Sequence, residues 1–173
     1  PAELLANDSD ADNAHGDLRI SAVGGATGGT VALDAQGQVV FTPTLNHTGA
    51  AGFSYTVADG DGGSAQASVS LNYTPVNDAP VAVGESYTFS EDQVATISTA
   101  SLLQNDSDVD GPGALTIGSV SNASGGTANL QGGQVVFTPW ANYYGAAGFT
   151  YTVQDGAGGT SQARADLYFN PVN

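Results

Sequence analysis

The sequence predicts an all-β protein made of two tandem Greek-key β-sandwiches, 1–76 and 77–173, the first lacking its initial strands. Three observations lead there. Apolar residues alternate with Ser, Thr, Gly and Gln in short runs, with no competing helical periodicity. Gly, Asp or Pro interrupts these runs roughly every eight to twelve residues, the spacing of turns in a sandwich. The pattern also occurs twice: Asn7-Asp8-Ser9-Asp10-Ala11-Asp12 is answered by Asn105-Asp106-Ser107-Asp108-Val109-Asp110-Gly111, and the residues downstream of the two stretches align as well.

The first repeat enters its own pattern part way, since Pro1 to Leu5 corresponds to the stretch ending in Ser101-Leu102-Leu103. Strands are expected over Leu18 to Val23, Thr30 to Leu33, Gln38 to Phe41, Phe53 to Val57 and Ala65 to Tyr73. In the last run Ala67, Val69, Leu71 and Tyr73 share one face and Ser68, Ser70 and Asn72 the other, as a strand over a core requires. The second repeat offers Ala163, Ala165, Leu167 and Phe169 in the same way. Thr42-Pro43 and Thr138-Pro139 end strands because Pro cannot donate to the ladder. Asn46 to Gly49 and Asn142 to Gly145 are turns whose Asn and Gly tolerate a left-handed backbone.

The linker Thr74-Pro75-Val76-Asn77-Asp78-Ala79-Pro80 is stiffened by its prolines, so the domains are expected end to end. The second repeat then has what the first lacks: Val81 to Phe89, the turn Ser90-Glu91-Asp92, and Val94 to Ile97, read as the first two strands of seven. One of the two is expected to be central to a sheet, so that their lack leaves unpaired backbone beside Leu18 to Val23 or Gln38 to Phe41. Two explanations stand: a cut in the fragment, or a split domain whose first strands lie earlier, before an inserted ligand-binding module. Asn170 to Asn173 repeats the start of the linker and implies a further domain.

Composition narrows the partners. Acidic residues number 17 against 2 basic ones, Arg19 and Arg164, for a formal charge of −15. Nucleic acid and anionic membranes both require a cationic footprint, so neither is expected, nor is membrane insertion. With Cys at 0, neither a disulfide nor a thiolate metal site can hold the fold. Most of the acids are Asp, a turn and metal-ligand residue more than a helix-surface one.

The acidic stretches place a carboxylate at every second position. At about 5 Å and an effective dielectric of about 20, each close pair repels by about 3 kcal/mol, a strain that a cation between them removes. Asp-x-Asp-x-Asp-Gly is also the first half of a calcium loop, with oxygens at alternate positions and Gly at the bend. One isolated Asp-rich turn is equally well explained by side chains capping backbone amides. Two copies in register favour calcium, as do the downstream clusters Asp59-Gly60-Asp61-Gly62-Gly63 and Asp155-Gly156-Ala157-Gly158-Gly159. In a Greek-key sandwich the loop between strands two and three and that between six and seven emerge at one end, beside the incoming linker. Asp155 is therefore expected to reach the ion held by Asp106, Asp108 and Asp110, with Asn77 and Asp78 arriving at the same end.

Asn-Asp-Ala-Pro at a junction, Asn-Asp-x-Asp-x-Asp-Gly, Phe-Thr-Pro, and Gly-x-x-x-Phe-x-Tyr-Thr-Val-x-Asp together resemble bacterial cadherin-like tandem repeats. These are the cadherin/Ig-like extender modules of large RTX-type surface adhesins exported by type I secretion. The resemblance covers the second repeat and most of the first. It implies a secreted calcium-binding spacer on the bacterial cell surface, in adhesion and biofilm, whose partners are neighbouring domains of the same chain, with host or surface ligands engaged by adjacent modules. It implies junction Ca2+ ligands at Asn77, Asp78, Asp106, Asp108, Asp110 and Asp155, with Asp8, Asp10, Asp12, Asp59 and Asp61 as the first-repeat set. Glu91 and Asp92 would serve the opposite end with Asn173. Departures are Asn13 in place of the turn Gly and Ala157 in place of a second Asp.

A rival reading makes Trp140, Tyr143 and Tyr144 a sugar- or peptide-binding loop, although aromatics at a sandwich end more often cover the core rim. His15 and His47 lack partners at metal or triad spacing and are expected at the surface. Asp106 and Asp108 as acid and base would sit in a loop with no pocket residues, so the chain is expected not to be an enzyme.

Overall fold

The computed structural model describes residues 3–12, 17–111 and 115–172. Two units divide the chain, Pro1–Val76 and Asn77–Asn173.

The first unit has β1 (Arg19–Thr27), β2 (Gly29–Leu33), β3 (Val39–Pro43), β4 (Gly49–Ala58) and β5 (Ser64–Tyr73). They form two antiparallel sheets, β1-β4-β5 and β2-β3. The strands outrun their apolar stretches because backbone groups pair whatever the side chain, so the Gly and Ala residues of Gly49–Gly52 extend β4. Leu5, Ile20, Phe53, Tyr55 and Val57 are buried between the sheets, with Val39, Phe41, Val69 and Leu71 only partly covered beside them.

The second unit adds β6 (Glu85–Ser90), β7 (Ala95–Ser98) and a single-turn helix α1 (Thr99–Leu102) before β8 (Thr116–Ser124), β9 (Gly126–Gln131), β10 (Gln134–Pro139), β11 (Gly145–Gln154) and β12 (Thr160–Asn170). Its sheets run β6-β12-β11-β8 and β7-β10-β9. Every pairing is antiparallel except β6 on β12. Phe89, Phe169, Phe137 and Phe149 form a row of rings through the core at 5.8, 5.8 and 6.3 Å. Val135, Phe137, Phe149, Tyr151, Val153 and Phe169 are fully buried. At about 25 cal/mol per Å² of apolar surface removed from water, these aromatics supply a large share of the burial energy.

Two expectations change. Helix α1 has no counterpart in the sequence reading; one turn is too short to show periodicity, and it forms because Ser98 caps it, accepting from the Ser101 amide at 3.1 Å. Neither β6 nor β7 is central: each is an edge strand, so the first repeat lacks two edges and keeps its sheet centres. Among the described residues the strands that pair on one side only where their second-repeat matches pair on both are β5 and β3, not β1, whose matching strand β8 is itself an edge in the second unit. The turns hold Asn46 and Asn142 at φ 56° and 55°, the left-handed region that Asn tolerates. Asn13, His15 and Asn173 lie outside the described residues.

Candidate metal centre

In the second unit the sandwich fold carries three separate pieces of chain to one end. Asn77 Nδ2 donates to Asp155 Oδ2 at 2.8 Å. The Asp78 amide donates to Asp110 Oδ2 at 2.5 Å, and the Val83 amide to Asp106 Oδ1 at 2.7 Å. Within the acidic loop the Asp110 amide donates to Asp108 Oδ1 at 2.8 Å, an Asx turn that brings two carboxylates to the same side. Gly111 follows at φ 129°, a backbone that only Gly adopts freely.

Asp155 is held by its own loop. Its Oδ1 accepts from the amides of Ala157, Gly158 and Gly159 at 2.7, 2.9 and 3.0 Å. Gly159 must be Gly, because a Cβ there would collide with the Asp155 carboxylate. The Asn77 hydrogen bond, helped by these amides, holds the Asp155 carboxyl below the usual carboxylate range. Asp106 goes the other way: burial raises its pKa, and the Val83 amide only partly offsets this.

Asn77, Asp108, Asp110, Gly111, Leu115 and Asp155 border one cavity of about 180 Å³. Among the described residues no three His, Cys, Asp or Glu side chains converge into a ready-made metal cluster. Like charges repel, and each carboxylate has an oxygen turned toward a backbone amide or Asn77 instead. The donor set nonetheless fits a hard cation: it is all oxygen, and Asp106 Oδ2 and Asp108 Oδ2 are buried with no hydrogen-bond partner. A buried carboxylate oxygen without a partner is unfavourable by about 1–3 kcal/mol or more, and a bound cation removes that penalty.

The first unit repeats parts of this arrangement. Asp59 Oδ1 accepts from the Asp61, Gly62 and Gly63 amides at 2.8, 3.0 and 2.9 Å, and the Asp12 amide donates to Asp10 Oδ1 at 2.8 Å. Asn7, Asp8, Asp10 and Asp59 border a cavity of about 540 Å³. Asp12 and Asp61 do not line it. Glu91 and Asp92 are tied elsewhere: Glu91 Oε1 accepts from the Val172 amide at 2.6 Å, and Asp92 Oδ1 from the Asn142 amide at 3.0 Å.

Sequence reasoning missed Glu85 and Tyr151. The Tyr151 hydroxyl lies 2.8 Å from the Val83 carbonyl and 2.8 and 3.0 Å from the Glu85 carboxylate. Burial raises the pKa of both groups, and the Asp106 charge raises them further. The signal was present, since Glu85 is in phase with Tyr87 and Phe89 on the inward face of β6. In the aromatic loop Trp140 meets Tyr143 edge-on at 5.7 Å, and the Tyr143 hydroxyl donates to the Ala146 carbonyl. Trp140 and Tyr144 are exposed. His47 does in the first unit what Tyr143 does in the second, lying 3.2 Å from the Ala50 carbonyl.

Solved structures similar to the chain include human mucin-like protocadherin EC1-2, at 16% identity and TM-score 0.48, covering 90% of this chain and 85% of that one. Human CDH23 EC21-23 matches at 14% identity and TM-score 0.41, over 90% and 58%. The endo-fucoidan hydrolase MfFcnA4 of glycoside hydrolase family 107 matches at 17% identity and TM-score 0.39, over 91% of this chain and 24% of the hydrolase. The chain thus spans about a quarter of that enzyme's length. No curated protein matches. The expectation that the chain is not an enzyme is corrected by these hydrolases, because the chains it resembles include enzymes as well as cadherins. The family profile described as cadherin-like domain matches residues 1–74 and again 76–170. The chain belongs to the cadherin-like domain family, with one such domain in each repeat.

Proposed function

We propose that the chain is a calcium-stiffened extender module of a secreted bacterial adhesin of the RTX type. The family itself is one of extracellular adhesion and structural modules. The observation that carries the reading is the pair of buried, unpartnered oxygens, Asp106 Oδ2 and Asp108 Oδ2, with Asp108 on the rim of the cavity that Asn77, Asp110 and Asp155 also border. Bound calcium would supply positive charge and six to eight oxygen-ligand positions there. The chain's part is to present Asn77 and Asp78 from the segment leaving the first repeat, Asp106, Asp108 and Asp110 from the acidic loop, and Asp155 from the last loop. Holding all three to one ion fixes the path by which the chain enters the second domain. Glu91 and Asp92 would act at the far end, and Asp8, Asp10, Asp12, Asp59 and Asp61 in the first repeat.

Extracellular modules typically bind calcium at about 0.1–1 mM, so millimolar calcium fills the sites and chelation empties them. The test is a thermal scan with a scattering profile, each with calcium and with chelator. Chelation is expected to lower the melting temperature and widen the distribution of end-to-end distances. Identical scans and profiles in both conditions would sink the reading. The exposure of Trp140 (59%) and Tyr144 (64%) favours a second role, binding of sugar or peptide by this loop. Trp140→Ala with Tyr144→Ala should then abolish glycan-array binding at unchanged stability. A double variant that still binds excludes the loop.

A further inference from the structure

We infer that the loop joining β4 to β5 carries a covalent self-modification site, at which Asp61 isomerises to isoaspartate through attack by the Gly62 nitrogen. Asp-Gly steps occur at Asp59-Gly60, Asp61-Gly62, Asp110-Gly111 and Asp155-Gly156. Gly has no side chain to shield its nitrogen and leaves the backbone free for the approach, so at such steps an aspartyl side chain closes most readily on the next amide. In sequence these steps are alike. In the fold they are not.

Three of these carboxylates are held. Asp59 Oδ1 accepts from the Asp61, Gly62 and Gly63 amides, and Asp155 Oδ1 from those of Ala157, Gly158 and Gly159, while Asp155 Oδ2 takes the Asn77 side chain. Both loops close tightly, since a Cβ on Gly63 or Gly159 would come within 2.2 Å of the carboxylate of Asp59 or Asp155. Asp110 Oδ2 accepts from the Asp78 amide at 2.5 Å. To reach the following nitrogen each of these carboxyls must rotate off its donors and give up charge-assisted hydrogen bonds. Asp61 is exposed, and among the described residues its carboxylate accepts no hydrogen bond; its amide alone is engaged, by Asp59. Gly62 follows at φ 110°, and a Cβ there would meet nothing within 4 Å, so the attacking nitrogen is uncrowded.

The reaction balances without a co-reactant other than water. The Gly62 nitrogen bonds to Asp61 Cγ, and one carboxyl oxygen leaves as water with the amide proton and the carboxyl proton, giving a cyclic succinimide. Water then adds at the Asp61 main-chain carbonyl carbon and breaks its bond to the Gly62 nitrogen, so the chain now runs through Cβ and Cγ. The longer path shifts the Gly62 and Gly63 amides off Asp59 Oδ1 and loosens the hold on Asp59. What this does to Asp59 as a calcium ligand rests on the function proposed above, whereas the isomerisation stands apart from it. The second repeat is exempt at this position because it has Ala157, whose amide still donates to Asp155 Oδ1 at 2.7 Å.

The experiment incubates the whole 173-residue chain in calcium-free buffer at neutral pH, folded and in denaturant, and maps isoaspartate by enzymatic carboxyl methylation and peptide fragmentation mass spectrometry. In the folded chain isoaspartate at Asp61 is expected to accumulate at least about tenfold faster than at Asp59, Asp110 or Asp155, because those three must first break hydrogen bonds. In denaturant the four rates should converge to within about threefold, since the restraint is tertiary. Asp61→Ala copies the second repeat at this position and so keeps the loop; it should remove the signal. Hydrogen exchange at Gly62 and Gly63 should quicken in the aged parent and stay constant in the aged variant. No isoaspartate at Asp61, equal folded rates at the four steps, a folded maximum at another step, or the same preference for Asp61 in denaturant would overturn the proposal. Calcium enters none of these outcomes, so a failure of the calcium function leaves them unchanged.

Discussion

The Asn77 side-chain amide donates to Asp155 Oδ2 at 2.8 Å across 78 positions of sequence, joining the start of the second domain to its last loop. This pairing makes the cavity between them a property of the folded domain, because neither the linker nor the loop can form it alone.

Asp155→Ala should therefore remove most of the calcium-induced stabilisation of the second domain. At calcium a hundredfold above its dissociation constant, one site contributes about 2.7 kcal/mol. For a domain of this size that is about 10–20 °C in melting temperature. Calorimetric scans with and without calcium check it, and a variant whose calcium shift equals that of the parent contradicts the assigned role of Asp155.

Asp108→Asn tests the unpartnered oxygen directly. Without calcium the variant should be as stable as the parent or more so, since it removes charge repulsion within the acidic loop. With calcium it should lose affinity by about tenfold or more. Opposite signs under the two conditions, read from urea midpoints and calcium titration, separate a ligand from a simple turn residue.

Glu85 leads to an inverted pH dependence in calcium-free buffer. Its folded pKa is raised, first by burial and then by the Asp106 charge, so the folded state holds its proton more tightly than the unfolded state does. Stability from this group is full below its ordinary value of 4.5 and is lost as pH rises through the folded pKa. Glu85→Gln should remove that component, flattening the decline in denaturation midpoint from about pH 4 to 7 relative to the parent. Parallel profiles for the two proteins would rule the effect out.

Tyr151→Phe should destabilise the second domain by about 1–3 kcal/mol, because it strips the Val83 carbonyl of its donor in a part-buried hydrogen bond. Phe137→Ala should cost about 3–5 kcal/mol, and Phe41→Ala clearly less, because Phe41 is only half-buried where Phe137 is fully covered. Chemical denaturation of each variant gives the ranking.

Much of the fold was readable from alternation and punctuation. Ala165, Leu167 and Phe169 sit in the core as their period of two requires, and Pro43 and Pro139 end β3 and β10. Two features were not readable. Helix α1 depends on a Ser98 cap and a buried Leu102, four residues with too little sequence to show a period. The edge positions of β6 and β7 depend on which strand pairs with which, and alternation is the same for edge and central strands. At the candidate site the acidic residues stood out by spacing, whereas Glu85 passed for an ordinary strand residue until Tyr151 and Asp106 were seen against it.

By itself the sequence determined that the chain is almost all β, that it repeats, that the second repeat has two strands the first does not match, and that its charge is concentrated in paired Asp loops. These are local properties, set by side-chain period, turn chemistry and composition. Only the tertiary structure decided that Asn77 meets Asp155, that Asp106 and Asp108 each bury an unpartnered oxygen, and that β6 and β7 are edge strands of the second unit. Those outcomes depend on strand order and on desolvation, and both arise only when segments far apart in sequence pack against one another.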